Sequence, residues 1–262
     1  MLAIVRAALK RNYKLVLFFG LGLGVIATLF SALFHQFSDQ LAPFVKTMPS
    51  GMRAVVGDLA LGTSPEGWLG IELFPLMAMV GVVIVAIVLG AGLIGREEES
   101  GTLELLLASR ISRTRILTAK YVALMLLLVI PPILLFVAIA LVGPLFDFHP
   151  NLAHVLAACC SLWILGMAFG SLTFAAQAVS GRRGLAIGVG SGLFLMMYAL
   201  TIASKLIDSW KDYGQWSLIH YYNIPGTLID GMDWLKFAVL AAISALLFFI
   251  AIGGFIRRDA GI

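Results

Sequence analysis

The chain has 262 residues, of which 61% are hydrophobic and 12% charged, with a formal net charge of +4 and a mean hydropathy of +1.01. Soluble domains carry about 25% charged residues, so this composition excludes a soluble globular protein and points to the membrane. Uncharged runs of about 20 residues can cross the hydrocarbon core as helix, and such runs recur at 15–34, 73–95, 121–143, 155–179, 185–204 and 237–256. They predict an all-α integral membrane protein of six transmembrane helices, read as a single transmembrane domain over 1–262.

Residues 1–14 carry Arg6, Lys10, Arg11 and Lys14 among aliphatic side chains and read as an amphipathic basic segment. The run that follows is longer than a signal-peptide core, and FHQFSDQ beyond it offers no small-residue cleavage site, so it is helix one. Segment 35–72 is then expected outside the membrane. From Pro49 onward, Met52, Val55, Val56 and Leu59 recur at helical spacing opposite Ser50, Arg53 and Gly57, which predicts a helix lying on the outer leaflet.

Helix two leads into GREEESGTLELLLASRISRTRILTAK, residues 95–120, where charge returns between two apolar runs. Helix two is expected to continue to about Glu99 and to break at Ser100-Gly101-Thr102, because glycine weakens a helix interior and Ser or Thr favours an N-cap. A short helix then restarts with Thr102 as its cap and Glu104 complementing the helix dipole. Leu103, Leu106, Leu107 and Ile111 form its apolar stripe. Arg110, Arg113, Arg115 and Lys120 lead back to the headgroups. By pattern alone, segment 96–119 is a short amphipathic surface helix, which is also compatible with a plain interfacial turn.

Helix four contains Cys159 and Cys160. Adjacent residues on a helix point about 100° apart, whereas metal ligation needs converging ligands, so the pair reads as small buried hydrophobes. Helix five carries Gly184, Gly188 and Gly192 in a continued G-x-x-x-G pattern, with similar pairs at Gly20/Gly24 and Gly166/Gly170. Such faces allow close helix approach, within one subunit or between two. Segment 208–234 is rich in aromatic residues, and helix six ends at Arg257 and Arg258.

Orientation follows from the basic residues. With the N-terminus in the cytoplasm, all lysines and arginines fall inside except Lys46, Arg53, Lys205, Lys211 and Lys236, as the positive-inside rule favours. Trp68, Trp210, Tyr213, Trp216, Tyr221, Tyr222 and Trp234 then sit at the outer headgroup level. The expected location is the cell membrane, with both termini cytoplasmic. The net charge is thereby a topology signal, and no nucleic-acid partner is expected.

The six runs as drawn contain no Asp, Glu, Lys, Arg or His, which disfavours ion-coupled transport. No lysine follows a glycine, so the phosphate-cradling G-x-x-x-x-G-K-[ST] pattern is absent and any ATP is expected to be hydrolysed in another chain. An intramembrane enzyme finds little support. The E-E-x-x-x-R pattern fails after Glu98-Glu99, and Ser191 in GVGSG has no histidine within a span to act as base. His35, His149, His154 and His220 read as interfacial residues.

REEESGTLELLLASRISRTRILTAK resembles the segment after helix two in type-2 permeases of ATP-binding-cassette (ABC) exporters, which reads E-E-x-G-T-L-x-x-L-L followed by a Ser-Arg pair and a later lysine. The match falls on Glu98, Glu99, Gly101, Thr102, Leu103, Leu106, Leu107, Ser112, Arg113 and Lys120. Arg110 departs from the proline found in many members, so the turn there is expected to differ in shape. The resemblance extends to the basic N-terminus, the six helices, the small residues after Arg183, His220-Tyr221-Tyr222 and the closing Phe255–Asp259.

The resemblance implies a permease subunit, not itself an enzyme, that pairs with a second permease subunit, as a homodimer, and with two ABC ATPase subunits. ATP and magnesium would be bound in the ATPase, and this chain would hold no cofactor, metal or catalytic residue. The short cytoplasmic helix would be the coupling helix, docking through Glu98, Glu99, Gly101, Thr102, Leu103, Glu104, Leu106, Leu107 and Arg113. Helix five would lie near the two-fold axis, with Gly188, Gly192, Leu195, Met196 and Ala199 facing the partner or the pathway. Short re-entrant helices within 208–234 would close the outer side. The alternatives left open are a non-transporting membrane anchor or sensor for an ATPase, and an intramembrane enzyme.

Overall fold

A computed structural model describes residues 1–47, 64–102 and 112–258. Among them the protein is helical without strands, and six helices are long and apolar enough to cross a membrane. Helix α1 spans Leu2–Thr47. Helix α2 runs continuously from Pro65 to Glu99, α3 covers Arg113–Val142 with a 3-10 extension Gly143–Phe146, and α4 covers Leu152–Ser180. Helix α5 is Arg183–Leu206, the short α6 and α7 are Leu218–Tyr222 and Gly226–Asp230, and α8 is Trp234–Arg257. The expected outer helix around Met52–Leu59 lies outside the described residues.

Helix α1 is one uninterrupted rod, so the basic N-terminal segment and the stretch beyond the first apolar run belong to the same helix. No proline interrupts it before Ala42, and Val5, Ala8, Asn12, Val16, Leu23, Ala27, Ser31 and Phe34 form a buried stripe at helical spacing along it. That stripe packs mainly on α3. A Cβ at Gly20 would lie 2.6 Å from Leu134 Cδ1 and 3.2 Å from Pro131 Cα, so this glycine permits the close approach of the two helices.

Helices α2 and α4 form the buried centre, with α1, α5 and α8 more exposed around it. A Cβ on Gly90 would collide with Thr173 and the Gly170 carbonyl, and one on Gly166 would lie 2.8 Å from Val82 Cγ1. The Gly20/Gly24 and Gly166/Gly170 pairs therefore serve packing inside the chain. Cys159 is buried and Cys160 half-buried in α4, both as free thiols.

Helix α2 begins with Pro65 after Ser64, whose Oγ accepts from Gly67 N at 3.1 Å. Over Leu69–Ala78, which includes Pro75, it widens to π geometry before continuing as α-helix from Met79. Proline cannot donate to the helical ladder, and such π segments are one way a helix absorbs the irregularity. The α6–α7 connection covers this stretch. Tyr222 Oη donates to the Phe74 carbonyl at 3.1 Å, and a Cβ on Gly70 would lie 2.7 Å from Pro225 Cβ. The same connection is held by Ser217 Oγ donating to Met197 O at 3.0 Å and Lys236 Nζ donating to Asn223 Oδ1 at 2.8 Å. Short helices thus occupy this aromatic end.

Candidate functional site

The opposite, charged end of the bundle is organised by the last turn of α2. Consecutive residues on a helix diverge by about 100°, so Glu97, Glu98 and Glu99 fan out toward three sets of neighbours. Glu97 pairs with Lys120 of α3 and, at 3.2 Å, with Arg11 of α1. Glu98 pairs with Arg258, directly after α8, at 2.7 Å and accepts from Gln177 Nε2 of α4 at 2.5 Å. Glu99 pairs with Arg183 of α5 at 3.1 Å. Arg96 adds a hydrogen bond to Asn12 Oδ1 of α1 at 3.1 Å. The foot of α2 is thus tied to all five other long helices.

Burial grades these contacts. The Lys120 side chain is 1% exposed, with its ammonium also donating to the Leu93 carbonyl at 2.6 Å. Glu97 and Glu98 are 13% and 12% exposed, but Glu99 is 56% exposed. Removing one partner of a buried pair strands a charge, whereas an exposed pair contributes at most about 1 kcal/mol. Lys120 therefore turns into the bundle, in contrast to the expectation that it leads back to the headgroups. Glu98 likewise does not stand free for a partner's groove, because its two oxygens are engaged by Arg258 and Gln177.

Immediately after this hub the backbone turns as the sequence predicts. Ser100 caps α2, with its N–H donating to Arg96 O at 3.2 Å, and Gly101 adopts φ +69° with its N–H donating to Glu98 O at 3.1 Å. That left-handed position after a helix suits glycine. Thr102 Oγ1 is 2.8 Å from Ser100 Oγ, and Arg113 donates to the Arg258 carbonyl at 3.2 Å. Leu103, Glu104, Leu106 and Leu107 lie outside the described residues. On the far side of the hub Gly181 ends α4 at φ +66°, where any Cβ would collide with the Arg258 guanidinium.

Two of the hub's members, Gln177 and Arg258, are remote in sequence from the glutamates, and Glu97 was not singled out by the motif. The triplet signals only that three adjacent carboxylates on one helix end face different neighbours; nothing in the sequence names Gln177 and Arg258 as those neighbours.

Helix α5 forms a second candidate surface. Its buried stripe is Ala186, Gly190 and Phe194, with Gly190 against Thr173 and Ile87 and Phe194 edge-on to Phe169 at 5.4 Å. On the other side Gly188, Gly192 and Ala199 are exposed, Leu195 and Met196 are 64% and 58% exposed, and a Cβ at Gly184, Gly188 or Gly192 would meet nothing within 4 Å. The five residues expected on one side of helix five do share one uncovered side, and the chain's own packing uses a different glycine.

Residues 10–207 match the family described as ABC-2 family transporter protein. The chain is also 27% identical over 199 residues to an uncharacterized protein, YhcI, of Bacillus subtilis (strain 168), an alignment covering 66% of this chain and 63% of that protein. The chain thus spans less than two thirds of this curated relative's length. With six helices able to cross a membrane and a family match over most of its length, the chain belongs to the ABC-2 transporter family as a multi-pass, permease-type membrane component.

Proposed function

We propose that the chain is the transmembrane half of an ATP-driven exporter, working as a homodimer in the cell membrane with two ABC ATPase subunits that bind ATP and magnesium. Its charged end faces the cytoplasm, and the segment after Gly101 is the coupling helix. The observation that carries this reading is the hub at the foot of α2, which lies directly before that segment and joins α2 to five other helices, four through ion pairs and α4 through Gln177. A push on the coupling segment would therefore reach the whole bundle through one helix. Docking falls to Glu99, Gly101, Thr102, Leu103, Glu104, Leu106, Leu107 and Arg113, while Glu98 serves by holding the base of the segment in place.

The test is recovery of an ATPase subunit with the purified protein. Leu106→Asp puts a carboxylate into the proposed apolar contact, where even a neutral polar group costs about 1–3 kcal/mol to desolvate and a charge costs more, and is expected to lower co-purification at least about fivefold at equal expression. Wild-type recovery and wild-type substrate-stimulated ATP hydrolysis would remove the coupling assignment.

Orientation has its own check. In a background lacking Cys159 and Cys160, cysteine at Ser100 is expected to react with an impermeant thiol reagent only from the cytoplasm, and cysteine at Gln215 only from outside. Both positions are exposed, at opposite ends of the bundle. The reverse labelling pattern would invert the topology.

A further inference from the structure

A cavity of about 1080 Å³ opens at the aromatic end, between the π stretch of α2, the last turns of α5 and the α6–α7 connection. Its charged lining is Glu72, Lys205 and Lys211, with His220 beside them, and its apolar lining includes Leu76, Met79 and Ile202. These two sets are separated by depth. Leu76 and Met79 follow Glu72 by four and seven residues on α2, and Ile202 and Tyr198 precede Lys205 by three and seven on α5, where seven residues of α-helix rise about 10 Å. Lys205 is in the last turn of α5, and Lys211 lies in the 3-10 segment beyond it. Both helices therefore carry charge at the mouth and apolar side chains about one to two turns inward.

Among the described residues, neither Glu72, Lys205 nor Lys211 forms an ion pair, although all three are side chains of the mouth. Burial and the nearby Lys236 hold the His220 pKa below its ordinary value, so this ring adds no charge at neutral pH. Among the residues that line the cavity, two ammonium groups stand against one carboxylate, so the lining itself carries net positive charge. Pockets of this size accommodate drug-sized or single-chain lipid-like molecules.

We propose that this cavity binds an amphiphile with an anionic head group, the head against Lys205 and Lys211 and the apolar part along Leu76, Met79 and Ile202. Glu72 accepts a hydrogen bond from a hydroxyl or ammonium group on the same head. As a statement about transported substrate, this rests on the permease reading above; as a statement about binding, it stands on the cavity.

The two can be separated with the full chain in phosphatidylcholine nanodiscs, photolabelled by a diazirine-bearing dodecyl phosphate or by the same alkyl chain with a trimethylammonium head. Saturable labelling of peptides containing Met79 or Ile202 is expected with the phosphate alone. Lys205→Gln/Lys211→Gln, at two exposed positions, is expected to raise the half-saturating concentration about tenfold, the loss of charge-assisted hydrogen bonds. Equal labelling by both probes, no saturable labelling, or an unchanged concentration dependence in the double variant would overturn the site. With the ATPase partner reconstituted, stimulation of ATP hydrolysis over the same concentration range supports its role in transport. Saturable binding without stimulation would uphold the binding site and overturn the transport reading.

Discussion

Lys120→Met is expected to destabilise the protein by about 3 kcal/mol, at the lower edge of what breaking a buried ion pair costs. Methionine nearly conserves the volume, so little of this is packing loss. What remains is Glu97, 13% exposed and deprived of its buried partner, and a Leu93 carbonyl reduced to its helical hydrogen bond. Arg11, at 3.2 Å from Glu97, compensates in part and keeps the cost from the upper end of the range. Glu97→Leu combined with Lys120→Met removes both charges and is expected to recover most of the loss, because an apolar pair of similar size replaces a buried ionic one at little cost. Denaturant unfolding in micelles gives the comparison, with Glu99→Arg as the control. Glu99 and Arg183 form an exposed pair, so that reversal is expected to change stability by no more than about 1 kcal/mol. Equal stabilities for wild type and Lys120→Met would show that the hub does not hold the bundle.

Gly188→Leu is expected to leave the single chain intact and to weaken dimerisation at least about tenfold, because G-x-x-x-G faces depend on backbone approach that a branched side chain prevents. A side chain at 188 meets nothing within 4 Å in the isolated chain, so its fold should keep wild-type stability to within about 0.5 kcal/mol. Gly190→Leu makes the opposite case. Its Cβ collides with Thr173 and approaches Ile87 Cγ1 to 3.3 Å, and overpacking there is expected to cost the fold about 1–3 kcal/mol. Crosslinking in nanodiscs, paired with unfolding, reads both quantities. A Gly188→Leu protein that dimerises and supports transport like wild type would take this side of α5 out of the interface.

Helix number and type were legible because lipid admits few spanning structures, and a long uncharged run has essentially one way to satisfy its backbone in hydrocarbon. The break after helix two was legible for a local reason. Gly101 stands two positions after the last helical residue, Glu99, and takes a left-handed φ that a glycine accepts freely. The clustering of aromatic residues at one end followed from residue types that favour the interface, whereas short helices within 208–234 were implied by the family resemblance alone.

What the charges do was not legible, because a salt bridge depends on which helices become neighbours. Glu98 finds Arg258 across 160 positions of sequence and Gln177 across 79, and no spacing rule connects such residues. Lys120 read as a headgroup lysine because it borders an apolar run, yet the packing of α3 against α2 turns it inward to Glu97. The glycines divide in the same way. By composition Gly20, Gly90, Gly166, Gly188 and Gly190 are alike, and only the arrangement of helices decides which of them already face a backbone and which are left uncovered. Local chemistry and the lipid solvent therefore determined the helices and their ends, while long-range packing decided the ion pairs, the uncovered side of α5 and the cavity beneath the α6–α7 connection.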